Sequence, residues 1–294
     1  MGNFSTLGQG QIERQALNIR IHPCWRDHRF QDRAVLPAVE AMQLLADRVR
    51  RVRPVMFATR MGSARFEKFL ELPESDQSVE ALCDLTLLAK GGMRAALLTR
   101  SRARAAKLSR LKTHAQVDFL PVADGPPPEP PLPDQGHFAE EPCFSVDPHR
   151  LYSDLVPFGP AYHNIYRTLI LNAQGARAGI RAPEIPSGCL GSPFVLDAAF
   201  HAACAWGQRF ADVVAFPVGM DERFVLRPTQ AGEAYTAHIL PVREDREGLL
   251  FDIRITDADN LLFEVLRGVR MRDVSGGRLK PPDWIRRDPT TEEA

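Results

Sequence analysis

The stretch that decides the fold reads Trp25-Arg26-Asp27-His28-Arg29-Phe30-Gln31-Asp32-Arg33-Ala34-Val35-Leu36-Pro37. In it, His28 stands nine residues before Pro37, and apolar residues follow Pro37 at helical spacing. Proline suits the first position of a helix, because its missing N–H needs no partner there. The pattern therefore predicts a helix from Pro37 to Val52, with His28 in the loop that leads into it.

A second signal lies far downstream, at Leu196-Asp197-Ala198-Ala199-Phe200-His201. It falls inside an apolar run that predicts a helix from about Pro193 to Phe210. Asp197 and His201 are four positions apart, so they share one face of that helix. A carboxylate in an apolar helix is costly unless it has a partner, which favours a functional role for Asp197.

Size and composition narrow the function classes. The chain has 294 residues, 44% of them hydrophobic, and a formal net charge of zero. That length can bury one large core or two ordinary ones, and the neutral balance argues against nucleic acid or a membrane surface as partner. No apolar run approaches the ~20 residues that span a bilayer, and the first residues lack a secretory signal. Five scattered cysteines without a C-x-x-C pair predict reduced thiols in a cytoplasmic protein and no zinc site.

Proline density divides the chain. We expect an extended, proline-rich linker at residues 122–148, between portions 1–121 and 149–276, with a loose polar tail at 277–294. Both portions read as one long apolar helix plus several antiparallel strands, the pattern of a sheet wrapped around a central buried helix. The expected strands are 16–21, 64–72, 79–89, 93–100 and 113–120 in the first half, with a two-residue turn at Gly91-Gly92. In the second half they are 166–171, 176–182, 222–226, 234–242, 249–256 and 261–270.

Three motifs resemble one known family. His28 through Pro37 resembles the H-x-x-x-G-x-x-x-x-P signature of hydroxyacyl dehydratases, particularly polyketide synthase dehydratase domains, and residues 22–29 resemble its H-P-x-x-x-D-H-R/K context. Leu196 to His201 is similar to the family's L-D-A-x-x-Q/H segment, and Phe158 to Tyr162 to its Y-G-P-x-F segment. The resemblance implies an α+β double hotdog, in which two helix-in-sheet halves form one continuous sheet.

The resemblance also implies an activity, that of a hydro-lyase removing water from 3-hydroxyacyl thioesters to give trans-2-enoyl thioesters. The pathway would be polyketide or polyunsaturated fatty acid biosynthesis, with no metal or organic cofactor and with the substrate on the phosphopantetheine of an acyl carrier protein. Such chemistry needs an unprotonated base, and His28 in a partly apolar pocket fits because desolvation lowers a histidine pKa. We expect Asp197 to be the acid, with burial raising its pKa, and His201 to support it.

Further residues are expected to contact substrate, and those in the first half are Asp32, Arg33 and Pro37. Backbone N–H groups near Asp32 and Arg33, close to the helix start at Pro37, are candidates to stabilise the enolate. In the second half the candidates are Phe158, Gly159, Pro160 and Tyr162. The sequence departs from the family pattern in two places, since Asp32 replaces the motif glycine and Phe158 replaces a frequent tyrosine.

Alternatives remain open at this point. The same acid–base pair would also serve an enoyl isomerase, or a slow or inactive dehydratase-like domain. In another class, the chain is a non-catalytic module of a synthase that binds carrier protein. The basic run is either a solvated hairpin or a docking patch for an acidic carrier protein, and a homodimer is implied by the family alone. The residues of this basic run are Arg100, Arg102, Arg104, Lys107, Arg110 and Lys112.

Overall fold

The computed structural model of the protein describes residues 10–54, 59–102, 109–121, 142–245 and 248–286. In the described part of the first half, one long helix, α1 (Ala38–Val52), accompanies seven strands. The strands are β1 (Ile12–Arg20), β2 (Arg29–Phe30), β3 (Arg33–Ala34), β4 (Arg60–Phe66), β5 (Ser78–Leu87), β6 (Met93–Arg102) and β7 (Ser109–Phe119).

The second half follows the same plan around a longer helix, α2 (Pro193–Phe210). A single helical turn at Pro148–Arg150 runs into a π-helical turn at Leu151–Leu155, and a short helix, α3 (Asp283–Arg286), closes the described chain. The strands are β8 (Phe144–Val146), β9 (Leu169–Asn172), β10 (Gly175–Arg181), β11 (Phe216–Val225), β12 (Ala234–Asp245), β13 (Gly248–Thr256) and β14 (Leu262–Arg272).

Twelve strands form one continuous sheet in the order β1-β5-β6-β7-β4-β11-β14-β13-β12-β10-β9-β8. The halves join where β4 pairs antiparallel with β11, and Met61 lies opposite Arg223 at that junction. The small strands β2 and β3 form a separate hairpin. Because each half contributes one helix to a shared sheet, the fold is the double hotdog that the sequence predicted.

The two helices are buried for the reason their sequences indicate. The apolar side chains of Met42, Leu45 and Val49 in α1 are completely buried, and Pro37 lies just before the helix as its N-cap. Every residue of α2 from Pro193 to Gln208 is buried. A helix that is apolar on all sides must be enclosed by other elements, as α2 is.

Some strand boundaries differ from expectation. The strand predicted at 64–72 ends at Phe66, because the chain beyond it turns to bond the loop before α1, where Leu36 N–H donates to Leu70 O at 2.9 Å. The turn predicted at Gly91-Gly92 is instead a 3-10 turn at Ala89–Gly91, closed by Leu88 N–H donating to Gly92 O at 2.8 Å.

Two segments expected to be irregular contain ordered structure. Residues 122–141 of the proposed linker lie outside the described residues, but 144–146 form the edge strand β8. In the proposed tail, where 287–294 lie outside the described residues, α3 packs onto the body and Ile285 is fully buried. Trp284 stacks on Phe144 and donates from Nε1 to Asp154 Oδ2 at 3.0 Å. The expectation of a loose tail was therefore wrong for 283–286, because two apolar side chains anchor it.

Within the described residues, no helix combines the length and the apolar character needed to cross a lipid bilayer.

Candidate active site

One cavity of about 380 Å³ receives side chains from both halves of the chain. The first half contributes His28 and, from α1, Ala38 and Ala41, while α2 contributes Asp197 and His201. The structure therefore brings together the three catalytic residues expected from the sequence, although 169 positions separate His28 from Asp197.

Local hydrogen bonds place His28 at this cavity. Its N–H donates to Trp25 O at 3.1 Å, which ends a 3-10 turn, and its carbonyl accepts from Val35 N at 2.9 Å. The β2–β3 hairpin occupies the residues between His28 and Val35 and returns the chain, so that α1 begins beside the histidine. This is the physical reason for the fixed spacing between His28 and Pro37.

The surroundings of His28 favour its neutral form. The imidazole packs against the rings of Phe158 and Tyr162, with centroids 4.3 and 5.1 Å away. The residue as a whole is partly exposed, but its Nδ1 atom is enclosed and has no hydrogen-bond partner. Desolvation lowers the pKa of His28, and this outweighs the nearby Asp197 carboxylate, which raises it. His28 is thus unprotonated at neutral pH, as a base must be.

Asp197 and His201 form a buried pair one helical turn apart. Asp197 Oδ2 lies 2.9 Å from His201 Nε2, and each residue is 4% exposed. The two atoms are at ion-pair distance, but their angles do not make a regular hydrogen bond, and both lack any other partner. Their polar atoms are therefore available to a third group in the cavity.

The protonation of Asp197 differs from the sequence-based expectation. Burial by itself raises the pKa of this carboxyl, but the charges of His201 and His28 outweigh burial, and the pKa of Asp197 is lowered. Asp197 is therefore ionised near neutrality, and the expectation that burial alone keeps it protonated was wrong. A proton that this site donates has to be held by the Asp197–His201 pair as a unit.

Aromatic rings hold this pair in place. The imidazole of His201 lies 5.2 Å from the ring of Phe158 and 5.8 Å from that of Tyr152. Tyr152 stacks on His163 at 4.3 Å, and its hydroxyl accepts from Ile165 N at 2.9 Å. Tyr152 lies in the π-helical turn, a feature often found at functional sites. The sequence analysis missed it, because no motif residue marks that turn.

The Phe158-Gly159-Pro160 motif links the two halves. Gly159 N–H donates to Asp27 O at 2.8 Å, and the carboxylate of Asp27 accepts from Ala161 N at 2.9 Å. A Cβ on Gly159 would lie 2.5 Å from Asp27 Cγ, so only glycine permits this approach. Phe158 lines the cavity as expected, whereas Gly159 and Pro160 do not and instead secure the loop that carries His28.

Three other expected substrate contacts are also not at the cavity. Asp32 and Arg33 lie in the β2–β3 hairpin with exposed side chains, and Arg33 pairs with Glu71 at 3.0 Å. Asp32 has a φ of 63°, the left-handed conformation that glycine adopts freely and aspartate tolerates, so it can replace the motif glycine. Pro37 is buried but is not part of the cavity wall.

Tyr162 packs behind His28 rather than in the cavity wall. Its side chain is 1% exposed, and its hydroxyl has no hydrogen-bond partner. Burial, followed by the charge of Asp197, raises the pKa of this phenol well above its usual value. Tyr162 therefore supports the imidazole without lining the cavity.

The distal cavity wall contains residues that strand periodicity could not single out. The rings of Phe69 and Phe216 lie 4.6 and 5.2 Å from that of Phe30, which forms an aromatic cluster from both halves. His114 also lines the wall, and its Nδ1 lies 3.1 Å from the carbonyl oxygens of Lys68 and Phe69. These contacts fix the segment that follows β4 against the cavity.

The basic run is only partly described. Arg104 and Lys107 lie outside the described residues, while Arg100 and Arg110 are exposed on the paired strands β6 and β7. Lys112 lines the cavity, so the run reaches the candidate site. Among the described residues, no group of three or more His, Cys, Asp or Glu side chains is arranged to hold a metal ion.

Solved structures match this architecture over nearly the whole chain. The dehydratase domain of a mycocerosic acid synthase-like polyketide synthase is 17% identical with a TM-score of 0.69, covering 93% of this chain and 98% of that domain. The CurF-module dehydratase of curacin polyketide synthase is 14% identical with a TM-score of 0.69, covering 89% and 93%. The RzxB dehydratase domain from Pseudomonas fluorescens is 17% identical with a TM-score of 0.70, covering 88% and 94%. These TM-scores establish a shared fold.

The family comparison concerns the second half. Residues 144–281 match the family model described as "Polyketide synthase dehydratase N-terminal domain", while no curated protein matches the chain in sequence. The matched segment contains both Asp197 and His201. Over this segment the chain is similar to the polyketide synthase dehydratase family, and the solved dehydratase domains share its double-hotdog fold.

Proposed function

We propose that this chain is a hydro-lyase that converts 3-hydroxyacyl thioesters, carried on the phosphopantetheine of an acyl carrier protein, into trans-2-enoyl thioesters. The pathway is polyketide or polyunsaturated fatty acid biosynthesis. One observation carries the proposal: a neutral imidazole from the first half and a carboxylate–imidazole pair from the second half face the same cavity. Elimination of water requires a base at the α-carbon and an acid at the β-hydroxyl, and in a syn elimination both act on the same face of the substrate.

The elimination begins at the α-carbon. His28 removes the α-proton, and the electrons of that C–H bond form the new double bond to the β-carbon. The β C–O bond breaks with its electron pair remaining on oxygen. The Asp197–His201 pair supplies a proton to that oxygen, so that water departs.

This step moves one proton, in net terms, from the Asp197–His201 pair to His28. At the end His28 carries one extra proton and the Asp197–His201 pair has lost one, so a proton must return to the pair before the next turnover. His28, Asp197 and His201 line one cavity, so the proton can return within it.

The proposed partner is an acyl carrier protein, and its proposed docking site includes the basic strands β6 and β7. Arg100 and Arg110 are exposed there, and Lys112 reaches the cavity. Carrier proteins are acidic, so complementary charge would steer the encounter and orient the arm. A homodimer is part of the proposal, and light scattering at several protein concentrations measures it.

Hydration of a crotonyl thioester, the reverse reaction, tests the proposal. We expect the wild-type chain to form the 3-hydroxybutyryl thioester, and His28→Ala or Asp197→Asn to lower kcat by more than about 100-fold. His149→Ala and Asp259→Asn, at exposed positions, are the matched controls and should retain full turnover.

The rival functions predict other products. An isomerase would move the double bond of an enoyl thioester without adding water, which product analysis by mass spectrometry distinguishes. A non-catalytic binding module would retain carrier protein while turning over no thioester, and His28→Ala would leave that binding intact.

A further inference from the structure

A tight turn at Gly188–Gly191 lies immediately before α2 and is held by side chains from elsewhere in the chain. Gly188 N–H donates to Gly191 O at 3.2 Å, and Gly191 N–H donates back to Gly188 O at 3.1 Å. Ser192 follows as the N-cap of α2, but its side chain makes no capping hydrogen bond. The start of the helix that carries Asp197 is therefore not fixed by the side chain of its own cap residue.

Gln43, from α1 in the other half, binds this turn. Its side-chain Nε2 donates to Gly191 O at 2.6 Å, and its Oε1 accepts from Leu190 N at 3.0 Å. Gln43 is 7% exposed, so both bonds are shielded from water. A Cβ on Gly188 would lie 2.5 Å from Gln43 Oε1, so the glycine makes room for the amide.

Thr229 holds the opposite side of the turn. Ser192 N–H lies 3.0 Å from Thr229 O and 2.9 Å from Thr229 Oγ1, and it donates to both. Gly191 has a φ of +91°, and a Cβ there would lie 2.5 Å from Thr229 N. The turn is thus held between the first half through Gln43 and the second half through Thr229.

We propose that Gln43 is a positioning residue for the dehydration, setting the place of α2 relative to α1 and hence the gap between His28 and the Asp197–His201 pair. Both helices that Gln43 connects, α1 and α2, contribute residues to the cavity wall. On one side, α1 carries Ala38 and Ala41 in the cavity wall and follows the loop of His28. On the other side, Asp197 lies in the first turns of α2, just after the turn that Gln43 binds.

The inference rests on the proposed function, and a substitution of matched size tests it. Gln43→Met keeps the length and volume of the side chain but removes both hydrogen bonds. Because a displacement of about 1 Å can cost about 100-fold in rate, we expect kcat for crotonyl thioester hydration to fall by about 10- to 100-fold, with KM within about twofold of wild type.

A pH profile separates positioning from general destabilisation. The carboxylate of Asp197 raises the pKa of His28 in the wild-type chain, so a wider gap weakens that effect. We therefore expect Gln43→Met to move the acid limb of kcat/KM to lower pH. The control is Asp257→Ala, which removes two hydrogen bonds, from Asp259 N and Leu261 N, in a turn far from the cavity and should leave kcat and the acid limb unchanged.

Thr229→Val is a second variant, which decides the matter if Gln43→Met does not fold. It removes one acceptor on the other side of the same turn and should give a smaller loss of kcat, about 3- to 10-fold, with a pH shift in the same direction. Wild-type kcat, or a lowered kcat with an unmoved acid limb, would overturn the inference. Absence of hydration by the wild-type chain would instead refute the proposed function.

Discussion

Replacing Gly159 with alanine is the most informative single change outside the cavity. The added Cβ would lie 2.5 Å from Asp27 Cγ and 2.7 Å from Asp27 Oδ1. Asp27 cannot simply move away, because its carbonyl accepts from Gly159 N and its carboxylate accepts from Ala161 N. The contact lies directly before His28, so relieving it must disturb the candidate base.

The cost follows from these contacts. Overpacking costs about 1–3 kcal/mol, and losing the charge-assisted bond to Ala161 costs about 1.5–3 kcal/mol. Because a shift of Asp27 relieves the overpacking at the expense of the hydrogen bond, the two costs do not add, and we expect Gly159→Ala to lower the free energy of unfolding by about 1–3 kcal/mol. At about 2–4 °C per kcal/mol, that corresponds to a fall in Tm of roughly 2–12 °C.

Urea unfolding and crotonyl thioester hydration measure the two consequences. Gly179→Ala is the milder comparison, because its Cβ would lie 3.1 Å from Arg167 Cβ and Cδ, which is a tight contact and not a clash, and we expect a smaller loss of stability than in Gly159→Ala. The double variant Asp27→Ala, Gly159→Ala should lose less stability than the sum of the losses in the two single variants, because truncating Asp27 partly removes the clash. Wild-type stability and turnover in Gly159→Ala would refute this explanation of the motif.

Two further predictions concern charge. Desolvation lowers the pKa of His28 from its ordinary 6.5, and the base works only when unprotonated. The acid limb of kcat/KM should therefore be centred below pH 6.5, and a limb centred above 6.5 would contradict the account. The buried pair Arg223–Glu264, with Nη2 2.8 Å from Oε2, should make Glu264→Gln cost about 3–5 kcal/mol in urea unfolding, since it leaves the guanidinium charge unpaired. Glu71→Gln, which breaks the exposed pair with Arg33, should cost less than about 1 kcal/mol, and equal costs for the two variants would refute the distinction.

The two long helices were predictable from the sequence, and so were the candidate site residues that the structure places at one cavity. The apolar spacing of α1 and the apolar run of α2 predict burial wherever they lie, because a helix face without polar groups must be covered. Asp197 stood out in the apolar run because burying a carboxylate without a partner costs free energy. Its meeting with His28 came from the family resemblance, since spacing alone does not relate residues so far apart.

Other features depend on partners that are remote in sequence. The pKa of Asp197 is set by His201 and His28 together, so burial alone gave the wrong direction. Gly159 looked like a substrate contact because its partner, Asp27, lies in the other half. Gln43 looked like an ordinary helix residue, since the backbone groups it binds belong to a turn that local patterns cannot place.

The central claim is that His28 and the Asp197–His201 pair act as one catalytic unit across a shared cavity. A double-mutant cycle on kcat for crotonyl thioester hydration tests it, with wild type, His28→Ala, Asp197→Asn and the double variant. Residues that act as a unit are strongly non-additive, so we predict that the double variant is within a few-fold of the slower single variant. Losses that multiply in the double variant, or single variants that keep wild-type turnover, would contradict the account.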